Sequence, residues 1–413
     1  MSGQEQNAAP IFDIAGHGPL GLLGRLLAAI LILAPAAQAQ TFSVLHSFTG
    51  GGDGNTPWAL VADQAGNLYG TTESGGAGYG VIFKLHPTGS GWTLSPIYTF
   101  QGGNDGDDPI GVSFGPDGTL YGTTVYGGSN NCSPNGCGTV FKLTPQATAC
   151  KSALCPWTET ILHTFDAHTG GAYPPNAVVF DAAGNLYGTV LLGGPSGEGL
   201  VYELSRSGSN WTETVLYQFA SDTGDYAVAG LVFDQAGNLY GATADGGPCC
   251  GMIYELTPSG GGWTEQTLHN FQGGNDGGQS STNLLLAPSG ELFGATLGDP
   301  SGGNGTVFGL TPSNGGWTYD LLFNLPAYGP YAGFTMDAAG NLYGVDRVGQ
   351  DPGAIFKLTP SGSGWIYTTL YTFSCGSDGC LPNTVIVGAN GNLYGTASGG
   401  GSYGHGTVWE IAQ

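Results

Sequence analysis

Short apolar runs alternate with polar turns along this chain on a long period. The unit from Asn176 to Phe219 shows the pattern. Ala177-Val178-Val179-Phe180 is an apolar run of strand length, and Asp181-Ala182-Ala183-Gly184 is a tight turn. Asp bonds its own backbone there, and Gly accepts a positive φ. Asn185 to Thr189 opens a second strand, and Gly193 to Gly199 is a glycine-rich connection. Leu200 to Leu204 is a third strand, and Ser205 to Asn210 turns the chain into a fourth, Trp211 to Phe219. Short strands parted by Gly, Asn, Asp and Ser turns read as successive hairpins. One unit is therefore one four-stranded antiparallel sheet, with strands a, b, c and d.

The unit recurs seven times, with anchor aromatics Tyr69, Tyr121, Tyr187, Tyr240, Phe293, Tyr343 and Tyr394. Repetition of short strands at roughly 50 residues marks a propeller, array or solenoid. Units begin near residues 58, 109, 176, 227, 281, 331 and 382, and the last stops after its strand c, Gly406 to Ile411. An orphan strand of d type, Thr41 to Phe48, stands at the other end and matches Leu162 to Phe165 and Leu370 to Phe373. Pairing the two ends removes both free sheet edges, which otherwise invite aggregation. An open solenoid would carry distinct caps instead. The pattern predicts an all-β fold, a seven-bladed β-propeller of four-stranded antiparallel blades over residues 40–413, closed by residues 41–48.

Two phrases recur in order, as in Phe180-Asp181-Ala182-Ala183-Gly184-Asn185-Leu186-Tyr187-Gly188 and Gly138-Thr139-Val140-Phe141-Lys142-Leu143. They resemble the bacterial proteins described as choice-of-anchor tandem repeat GloVer-containing proteins, over about residues 41 to 413. The D-x-x-G-N-L-Y core is more weakly similar to NHL and lyase-type propellers. The family resemblance implies export and repetition, and supplies no activity or catalytic residue. No sorting anchor is expected after the last strand.

Residues 1–39 read as a leader and signal peptide. Arg25 precedes the apolar run Leu26 to Ala34, and Ala37-Gln38-Ala39 offers a small-residue cleavage site. The run is short for a membrane span, which needs about 20 apolar residues, and an uncleaved N-terminal anchor is the competing reading. A secreted destination, extracellular or periplasmic, follows, without stable membrane insertion after cleavage. The 7 Lys+Arg against 30 Asp+Glu give a formal charge of -23. Such a surface repels nucleic acid and anionic lipid.

The eight cysteines fall in four close pairs: Cys132/Cys137, Cys150/Cys155, Cys249/Cys250 and Cys375/Cys380. In an oxidising compartment each pair is a candidate loop disulfide, with free thiols or a metal site as the alternatives.

Blade topology puts the uniform a–b and c–d turns on one face. The varied b–c and d–a loops share the other, where binding commonly resides. Clustered Asp and Asn in glycine-rich turns supply the hard oxygens that calcium prefers. The candidate metal residues are Asp53, Asn104, Asp105, Asp107, Asp108, Asp222, Asp225, Asn275 and Asp276, with 104–108 foremost; plain solvated turns are the competing reading. Tyr79, Tyr126, Tyr173, Tyr226, Tyr328 and Tyr403 lie on the same face and would suit a glycan or cationic peptide, or else shield the packing between blades.

Catalytic residues are not assigned. His46, His163 and His269 share a strand-d slot with Tyr98, Tyr217 and Tyr371, which reads as packing. The recurring Asp63, Asp117, Asp181, Asp234 and Asp337 form a–b turns. No nucleophile elbow or zinc-protease motif occurs. The leading expectation is a monomeric, non-catalytic binding or interaction scaffold for an extracellular protein or glycan. The rivals are a carbohydrate-active lyase or hydrolase around His168, His405 and the acids of the varied face, using the central channel, and a structural surface or matrix component.

Overall fold

The computed structural model describes residues 40–413 except 90, 130, 133, 147–156, 209, 221–223, 281, 299–303, 327–328, 330–332, 348–351 and 363. The signal segment 1–39, the Cys150/Cys155 pair, Asp222 and Tyr328 lie outside the described residues.

Seven four-stranded antiparallel sheets form a β-propeller, and the described residues contain no α-helix. Blade 1 runs Asn55–Ala62, Leu68–Ser74, Val81–Thr88 and Gly91–Thr99 as strands a to d. Blade 7 takes three strands from the C-terminus, Cys380–Val387, Leu393–Gly399 and Thr407–Ala412. Its outer strand is Thr41–Ser47, which pairs antiparallel with Thr407–Ala412 and sets Phe42 opposite Ile411. The ring closes as the orphan strand predicts.

The repeated phrase D-x-x-G-N-L-Y-G is an instruction for packing. In blade 3, Asp181 Oδ1 accepts the backbone N–H groups of Ala183 (2.9 Å) and Asn185 (2.8 Å). Its Oδ2 accepts the Asn185 side-chain amide (2.8 Å) and the Tyr187 hydroxyl (3.2 Å). Asp63, Asp234 and Asp337 repeat this network. With its hydroxyl so held, the Tyr187 ring packs 6.1 Å from Trp263 of blade 4. Tyr69, Tyr240, Phe293 and Tyr394 meet the strand-d tryptophan of the following blade in the same way. The glycine after the tyrosine makes room for a strand-c aromatic, since a Cβ on Gly188 would lie 2.4 Å from the Tyr202 hydroxyl. That aromatic in turn receives the last strand-d ring of the preceding blade, as in Phe165–Tyr202 at 5.1 Å and Phe48–Phe83 at 5.3 Å. Such pairs add about 0.5–1.5 kcal/mol each beyond the area they bury.

The innermost strands break the symmetry of the repeat. Strand a has 8 residues in blades 7, 1 and 2, but only 2 in blades 3 to 6, such as Val179–Phe180 and Val232–Phe233. The run expected over Ala177–Phe180 is thus half as long. The cause lies in the count between two fixed points. One is a positive-φ residue at the ring's mouth: Thr56, Asp108, Tyr173, Tyr226, Gln279 or Leu381. The other is the residue opposite the anchor aromatic. Thr56 to Val61 and Leu381 to Ile386 span five positions, whereas Tyr173 to Val179 and Tyr226 to Val232 span six. The extra residue takes the chain out of the ladder.

Two expectations follow. In Asp337, burial raises the carboxyl, but hydrogen bonds from Asn341, Ala339 and Tyr343 outweigh it and hold the group below its usual 3.8. Its stabilisation is therefore present above that pH and lost as pH falls through the folded value. Acid titration of the unfolding midpoint should fall steeply below about pH 4, and less steeply in Asp337→Asn. Deleting residues 41–48 should expose the Thr407–Ala412 edge and produce concentration-dependent association by light scattering.

Candidate binding face

The b–c and d–a loops interlock on one face of the ring. Gly76, Gly128 and Gly401 of b–c loops donate to Gly51, Gly103 and Gly376 of d–a loops, each at 2.8 Å. The residue after each d–a loop then donates to the preceding blade's b–c loop, as Thr56 does to His405 (3.1 Å) and Asp108 to Tyr79 (3.2 Å). Each d–a loop is thereby held between two b–c loops.

The acids that the sequence offers as calcium ligands divide into two kinds. Asp53, Asp105 and Asp276 close their own loops, seven residues after the strand-d slot. Asp53 accepts the Thr49 N–H (3.0 Å), the Thr49 hydroxyl and His46 (3.0 Å). Asp105 accepts the Gln101 N–H (2.6 Å) and the Tyr98 hydroxyl (2.5 Å), and Asp276 accepts the Gln272 N–H (2.8 Å) and contacts His269 (3.1 Å). Asp378, outside the predicted set, does the same with Ser374 (2.8 Å) and Tyr371 (3.0 Å). Burial raises the Asp53 carboxyl, but its Thr49 and His46 hydrogen bonds bring it below the ordinary value. Asn104 and Asn275 are exposed in matching single-turn 3-10 segments, Gly103–Asp105 and Gly274–Asp276.

The second kind lies at the mouth of the ring. Burial, then Glu73 and Asp107, push the Asp108 carboxyl up to about 7. Asp225 is raised by burial, then by Glu198 and Asp245, and it pairs through its backbone with Asp245. Glu73, Glu198 and Asp245 were not anticipated, because they fall in or after strand b, whose sequence otherwise signals packing. Among the described residues, no group of three or more His, Cys, Asp and Glu is arranged to hold a metal ion. The described predicted ligands are spread over four d–a loops, with Asn104, Asp105, Asp107 and Asp108 sharing one and Asn275 and Asp276 another.

Tyrosines accompany these acids. Tyr79, Tyr226 and Tyr403 are 40%, 42% and 63% exposed, and Tyr126 meets Tyr173 edge-on at 5.7 Å. The ring axis, by contrast, is lined by apolar and amide side chains. Residues in or just before strand a of six blades, among them Trp58, Ile110, Asn176, Asn283, Gly333 and Asn383, line a cavity of about 190 Å³. The amides of Asn176 and Asn383 are tied to the carbonyls of Val228 (2.5 Å) and Pro57 (2.8 Å) across blade boundaries.

Two of the expected disulfides are formed, Cys132–Cys137 within a b–c loop and the vicinal Cys249–Cys250. Cys375 and Cys380 stand as free thiols side by side, the alternative to a disulfide at that pair. Cys380 is buried at the start of strand a, and burial, then Cys375, raise its thiol well above the ordinary value. The histidines proposed for chemistry have structural partners: His168 contacts Asp166 (3.1 Å), and His405 contacts Asn55 (3.0 Å).

Solved structures share this architecture. The extracellular domain of BT4673 from B. thetaiotaomicron, described as a one component system, superposes with a TM-score of 0.54 at 9% identity, covering 90% of this chain and 40% of that one. The periplasmic gluconolactonase PpgL of Pseudomonas aeruginosa superposes with a TM-score of 0.51 at 17% identity, covering 76% of this chain and 85% of that one. At these identities the likeness establishes the fold alone. No curated protein matches the chain. The Gloeobacter/Verrucomicrobia repeat matches residues 29–155, 133–351 and 301–413, which spans every blade, and the chain belongs to that repeat family.

Proposed function

We propose that this chain is an exported, non-catalytic binding scaffold that engages an extracellular protein or glycan on the face carrying the b–c and d–a loops. One observation carries the reading: exposed tyrosines and unneutralised acids stand together on that face. Tyr79, Tyr226 and Tyr403 present flat apolar surface, while Glu73, Asp107 and Asp108 present acceptors. Aromatic faces with nearby carboxylates suit sugar rings and cationic side chains alike. The axial cavity's lining, which holds no titratable side chain, and the structural partners of His168 and His405 weigh against the hydrolytic rival. Calcium at the Asp107–Asp108 mouth would act as an accessory to such binding.

The test is a glycan and cationic-peptide screen with and without calcium, followed by calorimetry on any ligand retained. Tyr226→Ala, Tyr403→Ala and Asp108→Asn should each weaken binding at least tenfold. Ser361→Ala, on the opposite turns, should leave it unchanged. A ligand held equally by all four variants would place its site elsewhere and overturn the reading.

A further inference from the structure

The outer rim obeys a rule that one interface breaks. In strand d, a His or Tyr faces the next blade and meets a carboxylate. Asp53 serves His46 (3.0 Å), Asp276 serves His269 (3.1 Å) and Asp378 serves Tyr371 (3.0 Å), each from the d–a loop. Where that loop carries Gly170 or Gly224 instead, the following blade supplies the acid. Glu213 meets His163 at 3.3 Å, and Glu265 hydrogen-bonds Tyr217. A Cβ on Gly170 would lie 2.2 Å from Glu213 Oε2, so the glutamate fills the vacated place. Phe323 accepts no acid and stacks on Tyr367 at 4.9 Å.

Between blades 1 and 2 both acids are present. The Tyr98 hydroxyl lies 2.5 Å from Asp105 Oδ1 and 2.9 Å from Glu159 Oε2. A phenol has one proton to give, so both contacts are fully satisfied when one acid carries a proton that it donates to the phenol oxygen. Asp105 also accepts the Gln101 N–H at 2.6 Å. Glu159 Oε1 is buried without a hydrogen-bond partner, a placement that a neutral carboxyl tolerates better than a carboxylate. We propose that this interface holds a proton on Glu159, and that releasing it to solvent at alkaline pH drives Asp105 away and loosens the Gln101–Asp108 loop of the binding face.

Tyr98 from strand d and Asp105 from the loop are the titratable groups facing Glu159. Leu143 is its cross-strand partner, and neighbouring Lys142 turns to Asp117 at 2.6 Å. Burial, then Asp105, raise the Glu159 carboxyl to about 9, partly offset by Tyr98. The unfolded chain releases this proton near 4.5, while the folded chain keeps it until about 9. Stability from this group therefore falls as pH rises between those values and levels off above.

The test compares urea unfolding of the full chain and Glu159→Gln from pH 5 to 9, with amide exchange at Gln101, Asp105 and Gly106. The unfolding constant of the unsubstituted chain should rise relative to the variant by up to about tenfold per pH unit, the limit for one proton. Above pH 9 those amides should lose protection in the unsubstituted chain only. Parallel pH profiles for the two proteins would overturn the proposal. Asp105→Asn, which removes the repulsion, should flatten the profile as well and serves if Glu159→Gln does not fold. None of these readouts depends on a ligand, so the outcome is separate from that of the binding screen.

Discussion

The structure depends on one contact that recurs around the ring, the anchor aromatic of blades 1, 3, 4, 5 and 7 packed on the tryptophan of the next. In blades 3 and 4, Tyr187 and Tyr240 hold their hydroxyls on Asp181 and Asp234 while their rings reach Trp263 and Trp317. The aspartate thus shapes the a–b turn and also aims the tyrosine at its neighbour. Local turn chemistry and the contact between blades are joined in one residue pair. The full Asp–Asn–Tyr phrase stands in blades 1, 3, 4 and 6. Blade 5 shows which part is dispensable, since Phe293 lacks the hydroxyl and still packs on Trp365 at 5.8 Å.

On that frame the two faces have different freedom. The a–b turns of five blades are occupied by Asp networks that secure the blade. The d–a loops need only one carboxylate at the strand-d slot, and it can come from either side of the interface. His163 takes it from Glu213, and His46 from Asp53. With closure delegated to one acid, Asp107, Asp108 and Glu73 take no part in it, and Glu73, Tyr79, Tyr226 and Tyr403 stand exposed.

Periodicity made the blades and the closing strand legible, because Thr41–Phe48 carries the same alternation as every other strand d. The uneven strand-a lengths were hidden, since they turn on a single extra residue between Tyr173 and Val179. The d–a acids read as metal ligands because Asn-Asp-Gly has that composition. Their loop-closing role carried a signal nonetheless, an Asp seven residues after His46, Tyr98, His269 and Tyr371. Glu159 was unreadable for another reason: its partner Tyr98 lies 61 residues away in the neighbouring blade. The cysteines show the limit of spacing, for Cys132/Cys137 and Cys375/Cys380 are equally separated, and only the first pair is bonded.

The central claim is that the anchor ring, rather than its hydroxyl, joins the blades. Urea unfolding of Tyr187→Phe and Tyr187→Ala tests it most directly. The phenylalanine variant should lose about 1 kcal/mol, the net value of one hydrogen bond. The alanine variant should lose about 3–5 kcal/mol, the cost of an emptied aromatic site. Equal losses from the two substitutions would contradict the account and assign the joint to the Asp181 network instead.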